Sequence, residues 1–130
     1  MRILGIDYGT KRVGVAIGDT ESRVAVPYDT LEFGGATLEC LHEIIEREKI
    51  DLIIIGLPLT TGGEESKSSV LVRQFIKELK SLGIPVEMQD ERFTTKEVEK
   101  ITRGYGKARK GVDKDAAAAA LILQSFLEQI

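Results

Sequence analysis

The chain holds one cysteine, Cys40, and one histidine, His42, among 130 residues. A lone cysteine excludes an internal disulfide and suits a reducing compartment, so a cytoplasmic protein is expected. Two such residues cannot build a Cys/His zinc cage. Both fall on a helical stretch beside Leu41 and Ile44, where packing and surface roles account for them. Long apolar runs are missing: the longest, Ala116 to Leu123, is far short of a membrane span. Met1 and Arg2 lead straight into a strand-like segment, so no secretion leader is expected. Neither a repeat nor a linker divides the chain, which suits one domain over residues 1–130. An overall excess of positive charge is absent as well, the formal net charge being −3. The distribution is uneven, however. Lys100, Arg103, Lys107, Arg109, Lys110 and Lys114 face one acid, Asp113, within residues 100–114, a local charge of +5 that leaves −8 for the remainder. A basic stripe on an acidic body fits a phosphate contact, and equally a solvated loop.

What is present alternates between strand and helix patterns. Ile3–Tyr8 and Val13–Asp19 read as strands joined by the turn Gly9-Thr10-Lys11-Arg12. Val13, Val15 and Ile17 alternate with small residues, as expected of a strand with one face packed on a core. A third strand is expected within Arg23–Leu31, ended by Gly34-Gly35. A helix follows over Ala36–Lys49, with Leu38, Leu41, Ile44 and Ile45 along one side. Leu52–Gly56 is a short, wholly apolar strand of the kind covered on both faces. Pro58–Ser69 reads as a loop. The helix after it carries Leu71, Phe75, Leu79 and Leu82 in a stripe, with Gly83 placed to cap it and Pro85 to stop it. Val86–Asp90 is a further strand. Thr94 and Glu97 form a capping-box pattern for a short helix through about Arg103. A glycine-rich basic loop leads to a last helix over Asp113–Ile130. The three opening strands predict an antiparallel meander, and strands reached through helices predict parallel partners of the first. The expected architecture is α/β: one mixed sheet with helices on both faces.

Three acids stand where a core is expected. Asp7 shares its strand face with Ile3 and Gly5, and an ionised carboxylate there costs several kcal/mol unless compensated. As a plain alternative, Asp7 closes the strand and caps the turn. Asp115 precedes five alanines, which let the last helix approach the sheet closely, and the stripe Ala119, Ile122, Phe126 and Ile130 counts back to it. Its alternative role is a helix N-cap, which Asp113 can also fill. The two aspartates lie roughly 200° apart around a helix, so only one can face the sheet. Glu91 follows the strand ending at Asp90, in a cluster that alone reads as solvated surface. Together, three acids converging beyond the strand ends would repel one another, and hard divalent cations with oxygen ligands reconcile them. Paired magnesium ions clamp the attacking and leaving oxygens of a phosphodiester. Lys11 and Arg12 are then candidate phosphate holders beside them.

The ordered motifs resemble a known family. Gly5-Ile6-Asp7-Tyr8-Gly9-Thr10-Lys11-Arg12-Val13-Gly14-Val15-Ala16 closely resembles the opening motif of the bacterial YqgF family, described both as pre-16S ribosomal RNA nucleases and as Holliday junction resolvases. Gly56-Leu57-Pro58-Leu59, with Gly63 and Arg73, resembles its middle motif. Asp90-Glu91-Arg92-Phe93-Thr94-Thr95 and Asp115-Ala116-Ala117-Ala118-Ala119 are similar to its last two. The resemblance covers nearly the whole chain. It implies a ribonuclease H-like, five-stranded sheet of order 3-2-1-4-5. It also implies a catalytic and metal-binding trio at Asp7, Glu91 and Asp115, served by Mg²⁺ or Mn²⁺, two ions in all. Thr10, Lys11, Arg12, Arg92, Lys107, Arg109 and Lys110 become candidates for binding the nucleic acid. The substrate stays open between precursor ribosomal RNA and branched DNA, and the protein between monomer and homodimer; Asp113 or Asp90 could also join the metal site.

Two other classes are weighed against a nuclease. Gly5–Thr10 also resembles the first phosphate loop of the actin and sugar-kinase fold, but those proteins close two domains over ATP and one short domain lacks the second half. A nucleic-acid-binding module without catalysis would gain nothing from acids beside phosphate. Micromolar ATP binding would mark the first, and failure of magnesium to stimulate cleavage the second.

Overall fold

The computed structural model describes residues 1–8, 11–58, 67–91 and 114–130. Its elements are β1 (Arg2–Tyr8), β2 (Arg12–Asp19), β3 (Val24–Glu32), α1 (Thr37–Glu48), β4 (Leu52–Pro58), α2 (Lys67–Lys80), β5 (Val86–Glu91) and a last helix, α3 (Lys114–Gln129). The five strands form one sheet in the order β3-β2-β1-β4-β5. β1, β2 and β3 pair antiparallel, and β4 runs parallel to both β1 and β5. Both the mixed sheet and its order are as expected. No helix among the described residues is long and apolar enough to cross a membrane.

Strand alternation divides the side chains between two cores. Leu4, Ile6, Val13, Val15, Ile53 and Ile55 point to one face, where α1 covers them with Leu41, Ile44 and Ile45 and α2 with Phe75, Ile76 and Leu79. Ile3, Ala16, Leu52 and Ile54 point to the other, against Ala119, Ala120, Ile122, Leu123 and Leu127 of α3. Helices therefore cover both faces. Fully buried Ile53, Ile54 and Ile55 explain why β4 reads as an unbroken apolar run: its neighbours on the two cores need alternate residues of it.

Several ends differ from expectation. β4 continues to Pro58 and β5 to Glu91, so Glu91 is the last residue of the strand and does not follow it. α2 begins at Lys67, inside the expected loop. Leu71 of its expected stripe is 41% exposed, because Phe75, Ile76 and Leu79 carry the packing. In α3, Ile130 is 47% exposed and Phe126 only half-buried; the buried line is Ala116, Ala120, Leu123 and Leu127, flanked by Ala117, Ala119 and Ile122. At 100° per residue Asp115 falls between Ala119 and Ile122, both fully buried, so it shares the inward face as expected, toward one side of it. The expected helix near residues 94–103, the basic loop after it, and Asp113 lie outside the described residues.

Helix α1 starts from a turn held by its own side chain. Thr37, buried at 3%, donates its hydroxyl to the Glu32 carbonyl at 3.1 Å and accepts the Gly34 N–H at 2.8 Å. Both hydrogen-bonding functions are met, as a buried hydroxyl requires.

Candidate active site

β1 is the central strand, and Asp7 is its penultimate residue. Alternation puts Ile3, Gly5 and Asp7 on the α3 face. In the antiparallel register Asp7 pairs with Gly14 of β2, so their Cα atoms stand about 4.5–5.5 Å apart and their side-chain directions agree. The start of α3 lies on Gly14: a Cβ built there would overlap the carbonyl oxygen and carbon of Asp115 and come within 3.0 Å of the Ala116 nitrogen. Only a residue without a side chain allows this approach. Gly5 and Gly18 extend the track, each having space for no Cβ free of Leu123. With the backbone of Asp115 and Ala116 on Gly14, Leu123 and Ala119 on Gly5, and Leu123 and Leu127 on Gly18, these glycines make a shallow trough that draws the helix against the sheet. Asp7 and the first turn of α3 are thereby brought side by side, both residues half-buried.

Arg12 begins β2 on the same face as Gly14. Its Nε stands 3.3 Å from Asp115 Oδ2, with the arginine side chain 62% exposed and the aspartate 30%. The guanidinium offsets the Asp115 charge while the arginine side chain stays largely open to water. Lys11 is exposed, and its carbonyl accepts the Phe33 N–H at 2.9 Å. Farther along, Gln124 of α3 accepts the Ala25 N–H at 2.9 Å and donates to the Arg23 carbonyl at 3.0 Å. Ser125 accepts from Gln89 of β5 at 3.3 Å. The helix is thus pinned across the sheet from β3 to β5.

The register also sorts the acids of β5. Gly56 pairs with Gln89, Leu57 with Asp90 and Pro58 with Glu91. Gln89 reaches α3, so position 91, two residues on, belongs to the α3 face and position 90 to the opposite one. Position 91 therefore shares a face with Asp7 and the start of α3, whereas position 90 does not. The Glu91 side chain, and Thr10, Arg92, Lys107, Arg109 and Lys110, lie outside the described residues. Among the described residues no three acids, histidines or cysteines gather closely enough to hold a metal ion. Asp7 and Asp115 supply the oxygen donors on which such an ion would depend, and their chemistry fits hard divalent cations. His42 pairs with Glu46 at 3.0 Å on α1, and Cys40 is half-buried and free; neither belongs to the site.

Gly14 was missed when the sequence was read for chemistry. Its signal was present in the small residues Gly14, Ala16 and Gly18 on one face of β2, opposite a helix that begins with alanines.

A mixed sheet of order 3-2-1-4-5, with its acids at the end of the central strand and under the last helix, defines the ribonuclease H-like class. Solved structures agree on that fold. A RuvC structure from Thermus thermophilus superimposes with a TM-score of 0.60 at 16% identity, covering 99% of this chain and 95% of that one. The fowlpox virus resolvase in complex with substrate Holliday junction DNA gives 0.60 at 16%, covering 99% and 98%. The family itself comes from sequence. The model of RuvX, described as Holliday junction resolvase, matches residues 1–129. A protein of Rickettsia bellii named "Putative pre-16S rRNA nuclease" is 37% identical over 98% of this chain and 86% of its own length. A Rickettsia rickettsii protein of the same name is 35% identical over the same shares. The chain belongs to the RuvX family of nucleases.

Proposed function

We propose that the chain is a metal-dependent endonuclease that trims the 5′ end of precursor 16S ribosomal RNA in the cytoplasm. The observation that carries this reading is the seat of α3 on Gly14, which sets Asp115 beside Asp7 at the end of the central strand. Two acids drawn to one strand end by close backbone packing offer oxygen donors from two elements, which suit a hard divalent cation. The relatives' name supports the ribosomal substrate. Asp7, Glu91 and Asp115 would hold Mg²⁺ or Mn²⁺. Bound there, two such ions supply Lewis-acid activation of water and charge stabilisation at the leaving oxygen. The chain's own residues do the remainder. Arg12 and Lys11, exposed at the start of β2, hold the phosphate that flanks the cut. Water adds its hydroxyl to phosphorus, the bond to the 3′-oxygen breaks, and that oxygen takes up the remaining proton. Lys107, Arg109 and Lys110 add further backbone contacts, as their local charge suggests, and each lost contact should lower the log–log salt slope by about one.

A second reading, cleavage of four-way DNA junctions, is favoured by the family description and by the resolvase neighbours. It would call for a homodimer, since the junction is two-fold symmetric; trimming a single strand needs only a monomer. One panel decides: precursor ribosomal RNA, four-way junctions and plain duplexes, each with magnesium, magnesium-free, and with Asp7→Asn or Asp115→Asn. Cleavage of the RNA that needs magnesium and both aspartates supports the first reading. Junction cleavage alone moves the protein to the second. Undiminished turnover in Asp7→Asn ends the metal proposal. Asp113→Asn should keep its activity, because Asp115 lies on Gly14 and already pairs with Arg12.

A further inference from the structure

The opposite face of the sheet carries a cleft that the carboxylate site does not use. Tyr8 follows Asp7 directly, so alternation turns it to the other side. Its ring meets Phe33 edge-on, centroids 5.4 Å apart, and Phe75 at 5.0 Å. Phe33 and Phe75 are 6.2 Å apart. In a chain only 5% aromatic, three rings gather at one strand end. Beside them opens a cleft of about 220 Å³ lined by Tyr8, Phe33, Leu71, Gln74, Phe75 and Glu78. Phe75 is buried and forms its floor, whereas Phe33 and Leu71 are 42% and 41% exposed and form its walls.

Size and chemistry select the occupant. Pockets for drug-sized ligands begin at about 300 Å³, so this cleft suits one planar ring system. Its walls are aromatic and aliphatic. Gln74 offers an amide donor and acceptor at the rim, and Glu78 an acceptor. Tyr8 adds a phenolic hydroxyl, donor and acceptor, to the same lining. Stacking surface with a few polar groups at one edge is how proteins hold an unstacked base. A cation is also at hand, because the Phe33 backbone is tied to that of exposed Lys11.

We propose that this cleft is a base-stacking subsite, which takes one unpaired nucleobase of the substrate strand. Tyr8 and Asp7 are consecutive residues on opposite faces of one strand end. A base seated on Tyr8 therefore fixes which phosphate of the same strand reaches Asp7. The subsite rests on the nuclease reading and sharpens it: the strand must be unpaired close to the cut, so a continuous duplex is a poor substrate.

The test uses the full chain and short single-stranded RNAs carrying 2-aminopurine at successive positions, whose fluorescence falls when the base stacks on an aromatic ring. One position should be quenched far more than its neighbours. The quench should vanish in Phe33→Ala and return in Phe33→Tyr. Replacing that nucleotide by an abasic one should weaken binding roughly tenfold in the wild type and hardly further in Phe33→Ala. Leu71→Glu, on the facing wall, should weaken binding of the intact strand alone. Uniform quenching, or a quench that survives in Phe33→Ala, overturns the subsite. Cleavage is read separately. Specific quenching without cleavage of any substrate would sink the nuclease reading and leave the cleft a binding site. Cleavage of intact and abasic strands at the same phosphate with equal KM would sink the subsite and leave the nuclease.

Discussion

The two faces of the sheet are packed by different rules. On the face under α1 and α2, large branched residues such as Ile6, Ile55 and Leu79 fill the space between helices and sheet. On the face under α3, Gly5, Gly14 and Gly18 meet a helix that begins Asp115-Ala116-Ala117-Ala118-Ala119-Ala120, and backbone nearly touches backbone. The first arrangement tolerates adjustment, since side chains can shift. The second leaves no slack. The face that carries the candidate carboxylates is the one that gives up hydrophobic volume for fixed position, as a site for ions and a scissile phosphate demands.

Mutations should expose that contrast, beginning with the largest effect. Gly14→Ala puts a methyl group into the Asp115 carbonyl. It should cost about 3 kcal/mol of stability, the upper end for overpacking. Displacing the start of α3 by about 1 Å should also lower kcat roughly hundredfold. Melting temperature and kcat measured together check this, and a variant with wild-type kcat would show that the seat does not position the site. Leu79→Ala, fully buried on the other face, should cost about 3 kcal/mol through the cavity it leaves. Below its melting temperature, turnover per folded molecule should be unchanged; a large loss of kcat would make the two faces mechanically one. Arg12→Gln removes a half-exposed ion pair and should change stability by about 0.5 kcal/mol or less. A rise in KM for nucleic acid should accompany it, because its side chain stays largely open to water. Urea titration beside steady-state kinetics separates the two.

The smallest effect concerns pH. The Tyr8 pKa is raised in the folded chain, so its contribution to stability is complete below pH 10 and is lost as pH rises through the folded value. Tyr8→Phe should therefore lose less stability than the wild type as pH rises above 10. Parallel slopes in the two proteins would remove Tyr8 from the account.

Much of this could be read before the structure. The mixed sheet followed from strand and helix alternation, and its order was what the family resemblance implied. Asp7, Glu91 and Asp115 were named from their positions, and the structure sets Asp7 against the start of α3 and assigns position 91 to the same face. The inward face of α3 is wider than its expected stripe: Ala119 and Ile122 are fully buried as expected, but Ala116, Ala120, Leu123 and Leu127 are buried too, and Ile130 is exposed. Close packing on glycine favours the smallest side chains, which brings Ala116 and Ala120 inward. Phe33 and Leu71 could not be paired from sequence, since one lies before α1 and the other inside α2. Their meeting depends on the parallel crossover through β4, which periodicity does not report.

The seat on Gly14 also has a consequence in time. Asp7 leaves the ribosome well before Asp115, because synthesis delivers the amino-terminal part first. Until α3 settles into its glycine trough, the candidate centre has only some of its acids. A half-made nuclease would be harmless to the RNA around it, and cutting would begin only when the finished chain closes on itself. In refolding experiments, activity should accordingly appear with the final docking event and later than most of the sheet signal.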